Sequence, residues 1–474
     1  MNKKKIFYIC METFINKTFE SISLINKQNI RIIFILPNIC ECVNGVSTKY
    51  IKFINYLSNL SYNIILFTTF KNKGSIQLDS GDKSRRSSLI KKDNLNIINI
   101  KGLNIPFYKD IKIPIIIEKE LKSEIKDGNE IIIFNGEFIW LYETLKNFKN
   151  KHKNIKLYPT MHTDYLYYTE SYFSTGYSFK ANFTSQFTSS ALNYLNNNLD
   201  TKIFNGIIVT GEKMKAKYSE YSVFNANEVN LDIFNNVVKN TYNNGRENAM
   251  KSHSLESNNK EYYNIIYCGR VAQEKNIDEI LDCCIELKKN KIEFVLNIIG
   301  DGPYLDNLTG IINIKYKKIK SCIIFHGSKE PEEINNLYQS LDNRIFLFTS
   351  ISETFGKTPM EAGATGIPIF IKKSDITDNL YINKKNAFIF DNAVEFIELF
   401  IYFLNLDINE KHIFISESVN NIKKYDQNII FSEWIEYLIN GKVNKNKTKI
   451  NIFDMFTFHG ISKFINCSGS ILSD

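Results

Sequence analysis

Residues Ile265 to Ile312 read IIYCGRVAQEKNIDEILDCCIELKKNKIEFVLNIIGDGPYLDNLTGII, and this stretch decides the fold. A short apolar run (265–268) ends in a glycine turn, a segment of helical period follows (277–288), and the same cycle repeats as a second run (294–299) and a second helix (304–312). Runs of four to six apolar residues alternating with amphipathic helices are the signature of βαβ units, whose strands form a parallel sheet covered on both faces. The alternation continues with strands at 322–325, 345–348 and 368–371 and helices at 332–340 and 358–365, and segments 395–404 and 429–439 read as closing helices. Upstream the same pattern gives strands at 30–36, 62–67, 130–134 and 155–158, with a helix at 47–60 whose Tyr50, Phe53, Ile54 and Leu57 share one face. The expected fold class is α/β, with two Rossmann-like doubly wound domains.

Periodicity lapses after Phe234, and 235–259 is rich in Asn, Ser and Lys. The expected organisation is an extension at 1–29, a first domain at 30–234, a linker at 235–262, a second domain at 263–440 and a tail at 441–474. A polar stretch at 72–94, with Lys83, Arg85 and Arg86, reads as an exposed loop of the first domain. The length of 474 residues agrees with two domains, and 43% hydrophobic against 23% charged residues excludes a disordered chain. A net charge of +8, spread along the chain, suits an anionic ligand but does not indicate nucleic acid.

The eight cysteines show no Cys-x-x-Cys pairing or disulfide spacing, and the six histidines are scattered, so no metal site is expected. No apolar stretch approaches the roughly 18 residues that span a bilayer. The opening run is interrupted by Glu12 and makes a poor secretory signal, so the expected location is cytoplasmic.

The strongest constellation is Glu353-Thr354-Phe355-Gly356-Lys357-Thr358-Pro359-Met360-Glu361, directly after a strand. Pro359 fits only a first helical turn, so a helix is expected from Thr358, with Glu361 in that turn and Glu353 on the loop. Gly356 lets backbone approach a ligand, the helix start favours an anion such as diphosphate, and a carboxylate on each side can accept from hydroxyls. Nucleotide sugars carry that alternation of groups; two solvated glutamates flanking a cap is the competing reading.

Arg270 and Lys275 follow a strand and stand where doubly wound folds bind ligands. A planar fork of donors beside a compact charge suits a departing diphosphate, although two surface cations would look the same in isolation. Gly300-Asp301-Gly302-Pro303 follows the next strand, with Leu305 where a dinucleotide loop needs its third glycine. It serves either as a turn lining a nucleotide pocket or as a purely structural turn. In the first domain, Asn44-Gly45-Val46 lies where strand one meets helix one, and His162-Thr163-Asp164 follows the strand at 155–158. There Gly45 can offer an amide to phosphate, and His162 is a candidate for sugar contact or a structural hydrogen bond.

As an ordered set, Asn44-Gly45-Val46, His162-Thr163-Asp164, Gly269-Arg270 with Lys275-Asn276, Gly300-Asp301-Gly302-Pro303 and the Glu353/Glu361 pair resemble the retaining glycosyltransferases of family 4, over residues 30–440. The segment 103–114, the HTDY run and the aromatic stretch after it look most like glycolipid-forming members, including the sulfoquinovosyltransferases, and like related mannosyltransferases.

The resemblance implies a GT-B fold, two Rossmann-like domains facing across a cleft, and transfer of a sugar from a nucleotide diphosphate sugar, UDP-linked ahead of GDP-linked, to a hydroxyl of a lipid or glycan acceptor. It implies that Arg270 and Lys275 hold the donor diphosphate, Glu361 the ribose and Glu353 the transferred sugar. Phe355, Gly356, Gly302 and Gly45 would line the donor, while Asn44, His162 and Asp164 would contact sugar or acceptor. The catalytic set is then His162, Glu353, Arg270 and Lys275, with no cofactor and no metal, because two cations serve the leaving group.

Two turns depart from the family pattern: Asn225-Ala226-Asn227-Glu228-Val229-Asn230, where a glycine and an acid are replaced, and Asn386-Ala387. A GT-B-fold protein that binds without turning over is the alternative, supported by the changed turn at 225–230 and the long polar loops. A nicotinamide-dependent enzyme is disfavoured because neither first loop carries three glycines. The tail places Lys442, Lys445, Lys447 and Lys449 before the aromatic run at 450–458, an order that suits a peripheral membrane contact. A solvated linker followed by a packed segment is the other reading of the tail.

Overall fold

The computed structural model describes residues 30–36, 45–69, 89–90, 92–105, 108–114, 118–124, 129–135, 139–161, 203–219, 221–234, 262–351, 353, 355–374 and 377–441. The chain runs β1 (Ile30–Ile35), α1 (Gly45–Asn59), β2 (Asn63–Thr68), β3 (Leu95–Asn99), a hairpin of β4 (Gly102–Ile105) and β5 (Tyr108–Pro114), α2 (Glu118–Glu124), β6 (Asn129–Asn135), α3 (Ile139–Lys151), β7 (Ile155–Met161), β8 (Ile207–Val209), α4 (Glu212–Lys217) and β9 (Val223–Asn225). It continues with β10 (Tyr262–Cys268), α5 (Ile277–Lys289), β11 (Glu293–Ile299), α6 (Leu305–Ile314), β12 (Ile323–Gly327), α7 (Pro331–Ser340), β13 (Arg344–Phe348), α8 (Lys357–Ala364), β14 (Ile369–Lys372), α9 (Thr377–Leu380), β15 (Phe388–Phe390), α10 (Ala393–Asn405), α11 (Ile408–Lys423) and α12 (Gln427–Asn440).

Contacts divide these residues into two units. The first holds the described residues up to Val209, Met214–Asn225 and Phe431–Gly441; the second holds Thr210–Lys213 and the described residues of Ala226–Ile430. The first unit's sheet runs β3-β2-β1-β6-β7-β8-β9 and the second's β12-β11-β10-β13-β14-β15. Every pairing within the two large sheets is parallel. Both are doubly wound, as the alternation requires, and their order reverses at β1/β6 and at β10/β13. Central β1, IRIIFI, is buried nearly throughout because helices cover both its faces, and α1 turns Tyr50, Phe53, Ile54 and Leu57 into the same core. In the second unit one apolar cluster is built on Ile265, Leu281, Leu296 and Phe370, and another on Ile266, Phe346, Met360 and Ile369. Neighbouring residues of β10 thus face opposite layers.

The unit boundaries differ from the sequence reading in three places, the shortest being Thr210–Lys213, which falls in the second unit. Residues 226–234 belong to the second unit: Val229 donates to Tyr425 O (2.8 Å) and accepts from Gln427 N (2.9 Å), and Phe234 packs by Tyr338. From Phe431 onward α12 packs in the first unit, with Trp434 stacked on Phe53 (ring centroids 3.9 Å apart, 3° between planes) and edge-on to Tyr50. Tyr437 fastens the same helix: its hydroxyl donates to Ser222 O (2.6 Å) and accepts from Ile207 N (3.1 Å). Lost periodicity marks where apolar runs stop, not where a chain changes core.

The end of the expected exposed loop is also pinned. Leu89 is buried, and Asn94 donates to Ser58 O and Tyr62 O (2.9 and 2.8 Å), closing the turn between α1 and β2. Residues 1–29, all of 70–88, the linker at 235–261 and the tail from Lys442 lie outside the described residues. Among the described residues there is no disulfide and no helix long and apolar enough to cross a membrane.

Candidate active site

The second unit places its candidate residues on loops at the carboxyl ends of β10 and β13, the point where strand order reverses and open α/β sheets bind ligands. The loop after β10 carries Gly269 to Asn276 and the loop after β13 carries Thr349 to Gly356. Backbone contacts stitch the two together. Ile351 N donates to Glu274 O (3.1 Å), and the Thr349 hydroxyl bonds to Asn276 O (2.8 Å) and reaches Lys275 O (3.2 Å). Sequence reasoning passed over Thr349 and Ser350 because a hydroxyl after a strand carries no recognisable signal.

This stitching brings Lys275 and Glu353, 78 residues apart, into a direct ion pair in which both side chains are largely buried. Arg270, more exposed, pairs with Glu274 across one turn, so the two expected cations stand in one loop, each beside a carboxylate. Tyr267 supports the loop from below, donating its hydroxyl to Arg270 O (2.8 Å). Burial, with Cys268 and the nearby carboxylates Glu353 and Glu274 adding to it, pushes that phenol well above its usual range, so it remains a protonated donor.

Helix α8 begins at Lys357, one residue before the sequence reading, so Pro359 is its third residue and Glu361 falls in the second turn instead of the first. Gly356 sits before it in the left-handed region (φ 71°, ψ 62°) and supplies no capping side chain. The opening amides of a helix have no intrahelical acceptor, and with no cap they present a partial positive charge to a bound anion. Phe355 is buried with its ring edge-on to Tyr425 (5.3 Å), which fixes the loop next to Gly356, and Glu361 is buried on the helix itself.

Gly300 and Gly302 have a structural reason to be glycine. The turn after β11 lies against the Arg270 loop: Gly269 N donates to Ile299 O (2.9 Å), Val271 N to Asp301 O (2.9 Å) and Tyr304 N to Val271 O (3.1 Å). A Cβ on Gly300 would lie 1.9 Å from Gly269 O, and one on Gly302 would lie 2.3 Å from Val271 O. The amide of Gly302 is taken by the Asp301 carboxylate (2.7 Å). This packing accounts for both glycines on structural grounds. Gly300→Ala, with φ at +139° as well as the clash, is expected to cost about 2–4 kcal/mol in chemical denaturation.

The Glu228 turn also holds more than a bend. Glu228 is buried, and both its oxygens accept from Lys357 Nζ (2.9 and 3.0 Å) at the first residue of α8. Asn386, in the other departing turn, accepts from Ile382 N (2.7 Å) and is structural. His326 faces into the sheet, with Nε2 2.9 Å from Asn297 Oδ1; burial and Lys329 hold its pKa below the usual imidazole range. In the first unit Gly45 opens α1 at the reversal between β1 and β6, whereas Asn44, His162 and Asp164 lie outside the described residues.

A family profile described as "Glycosyl transferases group 1" matches residues 250–425, which contain the Arg270, Lys275, Gly300, Glu353 and Glu361 positions but not the Glu228 turn. Alpha-monoglucosyldiacylglycerol synthase of Acholeplasma laidlawii is 23% identical over 412 residues, spanning 86% of this chain and 96% of that protein. A sulfoquinovosyl transferase of Arabidopsis thaliana is 30% identical over 105 residues, 22% of this chain and 18% of its own length.

The chain is a glycosyltransferase of the GT-B fold. Two solved structures show the same architecture. Sucrose-phosphate synthase of Thermosynechococcus elongatus has a TM-score of 0.60 at 13% identity, with 86% of this chain and 98% of that one covered. The Anabaena protein HepE, solved with UDP and glucose, has a TM-score of 0.56 at 12% identity, with 87% and 99% covered. The expectations of two Rossmann-like domains and of a glycosyltransferase are both met in this enzyme.

Proposed function

We propose that this glycosyltransferase moves a hexose from a UDP-sugar to a hydroxyl of a diacylglycerol-type lipid, with retention of anomeric configuration and without a metal. The observation that carries the reading is the Lys275–Glu353 pair at the strand-order reversal, directly before the uncapped start of α8. A nucleotide sugar presents a diphosphate between two hydroxyl-bearing rings. The start of α8 and the two cations suit the diphosphate, and Glu353 and Glu361 suit the hydroxyls to either side. The lipid acceptor rests on the likeness to an alpha-monoglucosyldiacylglycerol synthase along nearly its whole length, and the UDP preference on the neighbour solved with that nucleotide.

In the reaction the bond from the anomeric carbon to the diphosphate oxygen breaks and the electron pair leaves with the diphosphate. Arg270 and Lys275 meet that growing negative charge, exchanging their carboxylate partners for phosphate oxygens. Glu353, released from Lys275, accepts from hydroxyls of the sugar while the anomeric carbon becomes cationic. The acceptor hydroxyl attacks from the face the diphosphate leaves and passes its proton to the departing phosphate. Gly45 would contribute an amide to the donor, and Asn44, His162 and Asp164 contacts to sugar or acceptor. A cytoplasmic enzyme held peripherally at the membrane, through the basic and aromatic tail, completes the proposal.

The test is product analysis. The full chain is incubated with UDP-glucose, UDP-galactose or GDP-mannose and diacylglycerol in mixed micelles, and the lipid product is examined by NMR. An α-linked glycolipid from a UDP-sugar is expected; a β-linked product overturns retention, and product from GDP-mannose alone overturns the UDP assignment.

A further inference from the structure

Three cations stand on the loops and helix start at the carboxyl edge of the second sheet, and each is paired: Arg270 with Glu274, Lys275 with Glu353 and Lys357 with Glu228. The pairs differ in what happens if the cation turns to a phosphate. The guanidinium of Arg270 already reaches solvent, and Glu353 is 19% exposed, so water can take over from Lys275. Glu228 has no exposed side-chain surface, while Lys357 is one-third exposed. The backbone beside Glu228 is fixed as well, because Val229 is hydrogen-bonded on both sides to the 425–427 segment. A buried carboxylate stripped of its cation is strongly unfavourable, so Lys357 cannot leave Glu228 as the other two cations leave their partners.

The position of Lys357 gives this pair a consequence for the reaction. It is the first residue of α8, and helical side chains lean toward the N-terminus, so its ammonium belongs to the region of the uncapped amides. A cation there opposes the positive end of the helix dipole and would bind a diphosphate directly if it were released. We infer that Glu228 withholds Lys357 from the diphosphate seat and so limits how tightly the nucleotide product is held. This inference rests on the donor site proposed above. It makes Glu228 a positioning residue that acts through Lys357.

The experiment measures binding of UDP and of inorganic pyrophosphate by calorimetry, and steady-state turnover, for the wild type, Glu228→Gln and Glu228→Gln/Lys357→Met. Gln keeps the shape of the side chain, and Lys357 can be hydrated, so the single variant is expected to fold. It should bind both ligands about tenfold tighter, the effect of one added charge-assisted hydrogen bond. Its kcat and KM should fall together because product leaves slowly, and the double variant should return to wild-type affinity. A merely structural role for Glu228 predicts the opposite sign, weaker binding, and that result or an unchanged affinity overturns the inference. If the single variant does not fold, the double variant carries the test: UDP affinity equal to the wild type is expected, and a tenfold loss overturns the inference. Wild-type protein that binds neither ligand removes the donor seat itself, and the inference with it.

Discussion

Lys275→Ala is expected to lower sugar transfer by about 10²–10³-fold, the usual cost of removing one preorganised charge from a developing anion. Its effect should fall on kcat more than on KM, because the charge on the bridging oxygen grows as the bond breaks. The fold should survive, since Glu353 is partly exposed and becomes hydrated once its partner is gone. Thr349 holds the loop through the Lys275 and Asn276 carbonyls, contacts that the truncation leaves in place. Nucleotide release and glycolipid formation, read alongside the unfolding midpoint, check this: rates drop and the midpoint barely moves. A midpoint that falls together with the rate would make Lys275 a structural residue.

Trp434→Ala is expected to destabilise the first unit by about 3–5 kcal/mol, as large-to-small changes of aromatic core residues do. The indole is fully buried, stacked on Phe53 and edge-on to Tyr50, with Phe224 6.0 Å away. Removing it leaves α12 held by Tyr437 and by Tyr158, whose hydroxyl donates to Leu438 O (2.9 Å). Denaturant unfolding followed by fluorescence, with Trp434→Phe as the conservative control, separates the outcomes: Phe should recover most of the loss. A loss below about 1 kcal/mol would mean that α12 contributes little to that core.

The parallel sheets were legible because their strands are continuous apolar runs, such as IRIIFI and NIIYC, set between helices with one apolar stripe. What escaped reading was local or distant. Helix α11 mixes Ile, Asn and Ser with little periodicity, and its only sequence signal is the Asp407–Glu410 capping box, which the structure shows closed on both sides. Strand β3 reads LNIIN, half-buried, in a stretch dominated by polar residues. The assignment of α12 to the first unit depends on Trp434 meeting Phe53, more than 370 positions away, which no window along the chain can show.

Among the candidate residues, Arg270, Lys275, Glu353 and Glu361 stand out in the sequence by their positions after strands and beside Pro359. The pairing of Glu228 with Lys357 does not, since in sequence it appears only as a replaced glycine and an exposed-looking lysine.

Thermal unfolding of the full chain in the presence of UDP-sugars and GDP-sugars tests the central claim most directly, that the second unit seats a nucleotide diphosphate sugar at Lys275, Glu353 and the start of α8. A bound donor at a hundred times its dissociation constant stabilises by about 2.7 kcal/mol, and the account predicts a shift of that size with UDP-sugars that Lys275→Ala sharply reduces. No stabilisation by any nucleotide sugar, or a shift that Lys275→Ala leaves intact, would contradict it.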